Sequence, residues 1–82
     1  MICFLRPKNE NIFTVEDNET IFINVLNNDG KLDVSLYLTC IYMFIEKFES
    51  IIIHIPSEMS NSDRMAIVLS KNLSNKISYL IA

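Results

Sequence analysis

Eighty-two residues are enough for one domain, read here as spanning residues 1–82, because a chain this short buries only about 60–65% of the surface its unfolded form exposes. Half of the residues are apolar and the net charge is −3 with the two signs mixed along the chain, which excludes a disordered chain and a basic field able to gather phosphates, so nucleic acid is not expected as a partner. The charge is equally too small for an acidic mimic of DNA.

The opening segment Met1-Ile2-Cys3-Phe4-Leu5 is apolar and stops at Arg6-Pro7-Lys8-Asn9; it reads as an edge strand. Ile12-Phe13-Thr14-Val15 and Ile21-Phe22-Ile23-Asn24-Val25-Leu26 are rich in β-branched and aromatic residues, with the polar Glu16-Asp17-Asn18-Glu19 between them. They predict a β-hairpin. Asn27-Asn28-Asp29-Gly30 closes the second strand with residues that tolerate left-handed backbone, and Gly30 is the single glycine of the chain.

Asp33 is placed to cap a helix running from about Val34 to Phe48. On that helix Ser35, Thr39, Tyr42, Glu46 and Glu49 form one narrow polar stripe, while Val34, Tyr37, Leu38, Ile41, Phe44, Ile45 and Phe48 can cover a sheet. Leu36, Cys40 and Met43 are left on a flank that still needs cover, and they are the expected oligomer interface. Ile51-Ile52-Ile53-His54-Ile55 reads as a central parallel strand covered on both faces and ended by Pro56. A polar loop follows from Ser57 to Ser62. Asp63 is expected to start a second helix reaching about Leu73, with Met65, Ala66, Leu69 and Leu73 facing inward. Ile77-Ser78-Tyr79-Leu80-Ile81 closes the sequence as another strand.

The expected fold is therefore α/β: a single small mixed sheet, made of an N-terminal β-hairpin followed by α-β-α-β, with two helices packed on one face. Each helical crossover is expected to return the chain to a parallel neighbour. The other face of the sheet then meets solvent or a partner.

Catalytic and cofactor chemistry finds little to work with. One histidine and two distant cysteines cannot make a metal site, a lone glycine cannot make a phosphate-binding loop, and no nucleophile motif is present. No cofactor is expected, and the reading is of a protein that is not an enzyme. A small enzyme using Ser57 or His54 would need the two within hydrogen-bond reach. Cys3 and Cys40 read as reduced core residues, and the N-terminus does not resemble a secretory signal, so a cytoplasmic location is expected. The longest nearly apolar run, from Val34 to Ile45, falls short of the ~20 residues that span a bilayer, so no membrane insertion is expected.

What remains is geometric. Loops at the carboxyl ends of parallel strands form the usual functional edge, and here they carry Asp29 after one strand and Ser57, Glu58, Ser60, Asn61, Ser62, Asp63 and Arg64 after the next. This polar, acidic rim is the predicted partner-binding surface, set against the alternative that its residues are turn formers and helix caps.

The segment from about Ile12 to Ile81 resembles the STAS domain, the fold of anti-sigma factor antagonists. Thr20-Ile21-Phe22-Ile23-Asn24-Val25-Leu26 followed by Gly30-Lys31-Leu32-Asp33 is similar to that family's second strand and its G-x-L-D turn. Ile51-Ile52-Ile53-His54-Ile55 is similar to the apolar strand that ends in D-L-S. Asp63 falls where the family has the aspartate of its D-S-S-G-L loop. The match departs where Arg64, Met65 and Ala66 replace the family's serines and glycine, in the longer Asn27-Asn28-Asp29 turn, and in the lack of a helix after the final strand. The resemblance implies a regulatory module that docks to a partner protein near Asp63. Small size and composition suit equally well an inhibitor of a host protein encoded by a phage or mobile element; a further alternative, from the flank Leu36, Cys40 and Met43, is a self-assembling structural subunit, in which case the chain forms a homodimer.

Overall fold

A computed structural model describes residues 1–81. The chain runs through β1 (Ile2–Pro7), β2 (Phe13–Val15), β3 (Thr20–Leu26), α1 (Val34–Lys47), β4 (Ile51–Ile55), α2 (Asn61–Leu69), a 3-10 turn (Ser70–Leu73) and β5 (Ile77–Ile81). The five strands form one mixed sheet in the order β2-β3-β1-β4-β5. The expected α/β class, with its mixed sheet and two helices, is what the chain adopts, and β2 and β3 are the expected antiparallel hairpin.

The opening strand is not at an edge. β1 lies in the middle, parallel to both β3 and β4. Its apolar residues alternate between the two faces, and a strand apolar on both sides is most stable with neighbours on both edges. Pro7, which has no amide hydrogen to donate, sits at the strand's end, where the register with β3 shifts. The crossover through α1 therefore leads from β3 over β1 to β4, not to the adjacent strand as expected; only the α2 crossover joins neighbours, β4 and β5.

Cys3, Leu5, Ile21, Ile23, Val25, Ile51, Ile53, Ile55 and Ile77 point from the sheet into the core, and Tyr37, Cys40, Ile41 and Phe44 of α1 close over them. Phe44 packs edge-on to Phe13, ring centroids 5.3 Å apart, and 5.6 Å from Phe48. The Asp33 carboxylate caps α1 by accepting from the Leu36 amide at 3.1 Å, as expected. Gly30 takes a φ of 82°, a conformation that strains any side-chain-bearing residue.

Three packing expectations are corrected. Cys40 is wholly buried and Leu36 and Met43 are partly buried against the core, so that flank needs no second copy to cover it; α1 is rolled so that Cys40 sits at the middle of its inner face, and Val34 is exposed instead. β4 is covered on one face only, with Ile52 and His54 half-buried on the other. On α2 only Ile67 is buried and Ala66 is partly buried against the core, whereas Met65, Leu69 and, in the 3-10 turn, Leu73 are exposed.

Both cysteines are free thiols in the core. Burial pushes the Cys3 thiol up to about 12 and the Cys40 thiol up to about 11. Thiolate is the reactive form, so neither should react with iodoacetamide at pH 8 in the native protein and both should react once it is unfolded. Labelling of the native protein followed by mass spectrometry checks this; rapid native labelling of either would mean that α1 opens readily.

Candidate functional site

The predicted rim exists as a place, but most of its side chains hold the loops together. Ser60, not Asp63, caps α2, accepting from the Asp63 amide at 3.3 Å, so the helix begins two residues earlier than expected. The Asp63 carboxylate instead reaches across to accept from the Leu32 amide at 3.0 Å, tying the β3–α1 loop to α2. Arg64 is half-buried and donates from Nε to the Met59 carbonyl at 3.1 Å and from Nη2 to the carbonyls of Pro56, at 3.1 Å, and Ser57. Asp29 accepts from the Lys31 amide, Ser57 Oγ donates to Glu58, and the Ser60 and Ser62 hydroxyls lie 3.4 Å apart. Asn61 and Ser62 face solvent in the first turn of α2. The rim thus brings Asp29 and residues 57–64 to one end of the fold, with Asp63 and Arg64 committed to internal contacts.

Asp33 at this same end accepts a hydrogen bond from Lys8, Nζ to Oδ2 2.6 Å. That contact, followed by the Leu36 amide, holds its carboxyl below the ordinary range. A depressed folded value means the contribution is present above the ordinary carboxyl range and is lost as the pH falls through the folded value.

The polar anchors have a consequence for α2. Asp63, Ile67 and Ser70 share one helical face at spacings of four and three, with Arg64 beside it, and this face lies toward the body of the fold. Tyr37, wholly buried, lies 2.9 Å from Ser70 Oγ, which donates to the Ile67 carbonyl. Tyr79 lies 2.8 Å from both the Ile67 and Val68 carbonyls and donates to this last turn of α2. Desolvation raises the Tyr37 hydroxyl above the ordinary phenol range. Because the helix is held by these polar contacts, its apolar residues Met65, Val68, Leu69 and Leu73 remain 38% to 62% exposed.

Of these, Leu69 and Leu73 face the neighbouring side of α1. Val34, Leu38 and Tyr42, at i, i+4 and i+8, form one wall of a groove of about 340 Å³, and Ala66, Leu69 and Leu73 form the other, with Ser70 on its lining. Val34 and Tyr42 are themselves 40% and 56% exposed. Two turns of α1 make the groove about 12 Å long. Sequence reasoning had assigned Val34, Leu38, Leu69 and Leu73 to the interior. The unbroken apolar run Met65-Ala66-Ile67-Val68-Leu69 has no period that could choose its inner face; the signal that could have done so is Asp63, Ile67 and Ser70 on one stripe beside Arg64.

His54 is half-buried with its ring 5.0 Å from that of Phe4, while Ser57 is engaged with Glu58. Among the described residues no group of three or more histidine, cysteine or carboxylate side chains could hold a metal ion, and no helix is long and apolar enough to cross a membrane. No protein-family model, curated protein or solved structure matches the chain.

Proposed function

We propose that this chain is a protein-docking module that regulates its partner by binding, without a reaction of its own, and that it takes an amphipathic helical segment of the partner into the groove between α1 and α2. The observation that carries this reading is the apolar groove in which Ala66, Leu69 and Leu73 stand opposite Val34, Leu38 and Tyr42. An elongated concave apolar surface between two helices has a convex cylinder as its complement, and helix-in-groove recognition uses side chains at i, i+3 or i+4, and i+7. The protein's own two helices are the walls, so the filling helix comes from another chain. Asp29, Glu58, Asn61 and Ser62 at the rim lie at the N-terminal ends of both helices, where they can bond the partner's polar edge.

The resemblance to STAS domains supports an antagonist-type role: the hairpin, helix, strand, helix, strand layout is present from Phe13 to Ile81, with β1 added between β3 and β4.

The test is capture from the source organism's lysate with the wild type and with Leu38→Lys plus Leu69→Lys, followed by purification of the captured protein and titration of the pair. Both positions line an open groove, so the variant should fold and should weaken binding at least about 100-fold, in line with loss of two central anchors at about 2 kcal/mol each. A partner that binds both proteins equally would place the docking surface elsewhere and sink this reading.

A further inference from the structure

The sheet has a second, uncovered side. Strand pairing aligns one outward row across all five strands, Thr14, Phe22, Phe4, His54 and Leu80, centred on β1. Phe4 and Phe22 have ring centroids 5.9 Å apart, and the Arg6 guanidinium lies 4.6 Å over the Phe22 ring. Ile2 and Ile52 form the next row. The chain holds ten side-chain carboxylates, yet none belongs to the outward-pointing residues of the strands among the described residues; Arg6 is the only charged side chain among them. We propose that this face is where a second copy of the chain docks, sheet against sheet, with the strands of the two copies running in opposite directions.

The charge placement selects both the occupant and the orientation. Two sheets packed face to face are related by a twofold axis lying between them. An axis along β1 would set Arg6 on Arg6. An axis across the strands, through the Phe4 row, separates the two guanidinium-bearing positions by about 13 Å, since each lies two residues, about 6.6 Å, from Phe4; this exceeds the ~8–10 Å over which charges interact in ordinary salt. The same axis carries each Arg6 toward the partner's β2–β3 turn, where the three carboxylates of Glu16, Asp17 and Glu19 outweigh the single Met1 ammonium level with Glu19 on β1. Glu19 lies three residues below the Phe22 row and Arg6 two above it, so after reversal they differ by about one residue, ~3.3 Å, along the strand. Phe4 then meets Phe4 and Phe22 meets Phe22, an aromatic layer between sheets.

The size fits a reversible dimer. Five strands at about 4.8 Å and about five residues at about 3.3 Å give a face of roughly 24 by 17 Å. With side-chain relief this amounts to roughly 500–600 Å² per copy, the low end of specific interfaces, the size class of weak, reversible association. The groove lies on the opposite side of the molecule, and the two surfaces stand or fall separately.

Sedimentation velocity of the 9.5 kDa chain from about 1 to about 300 µM tests this across the range of weak association. The mass should rise toward twice the monomer. Phe22→Lys should remain monomeric with an unchanged circular dichroism spectrum. Arg6→Glu should weaken association about fivefold or more, and Arg6→Glu combined with Glu16→Arg and Glu19→Arg should restore it to within about twofold; this charge exchange decides the matter even if Phe22→Lys fails to fold. A wild type that stays monomeric throughout overturns the proposal, whether or not it binds an anionic vesicle or an oligonucleotide through Arg6. So does association that Arg6→Glu leaves unchanged, or that Leu69→Lys in the groove abolishes.

Discussion

Phe44→Ala should lower the unfolding free energy by about 3–5 kcal/mol, read as a shift in the urea midpoint with little change in slope. Phe44 is 1% exposed and joins α1 to the edge of the sheet through the edge-on contact with Phe13, while also touching Phe48 at the helix end. Removing the ring deletes its transfer free energy and leaves a cavity that the β-branched sheet residues beneath, stiff about χ1, cannot fill. A domain of this length has a total stability of only about 4–12 kcal/mol, so the loss is a large share of the whole. Phe44→Leu retains most of the volume and should cost about half as much. A change below about 1 kcal/mol for the alanine variant would show that α1 is not clamped to the sheet through this residue.

Arg64→Ala should cost about 2 kcal/mol, and its distinctive sign is local. Three carbonyls, those of Pro56, Ser57 and Met59, share one guanidinium. Hydrogen bonds to a charged donor contribute about 1.5–3 kcal/mol when the group is desolvated, and part of this site is wetted, which sets the lower figure. Hydrogen exchange should accelerate across residues 57–64 while the amides of β1 and β3 keep their protection. Arg64→Lys should recover less than half of the loss, because an ammonium cannot present the planar fork that reaches carbonyls on two sides. If exchange rises uniformly through the sheet, Arg64 supports global stability and does not specifically organise the β4–α2 loop.

That residue also marks where a sequence reading reaches its limit. Asp63 and Arg64 were legible as members of the rim, because charged residues after a parallel strand are expected at its carboxyl edge. Their targets, the Leu32 amide and the carbonyls of Pro56, Ser57 and Met59, were not, since backbone groups carry no side-chain signal whether they lie 31 residues away or in the adjoining loop. The same contacts choose which face of α2 turns inward, and thereby create the exposed stripe and the groove. In the sheet, two helices expected on one face already left the other side to solvent or a partner, but runs such as Ile51-Ile52-Ile53 are apolar on both faces, so alternation within β4 could not show that this strand shares the uncovered side.

Local chemistry alone determined the element types: the hairpin from β-branched runs around a polar turn, the α1 cap from Asp33, the left-handed turn from Gly30, and the α/β class from their order. These depend on neighbours within a few residues, which the chain states directly. Tertiary structure decided the central place of β1, the roll of both helices and which aromatic residues meet on the open face. Each of those is a choice among partners distant in sequence that offer similar apolar surface, and only simultaneous packing and hydrogen-bond satisfaction distinguishes between them.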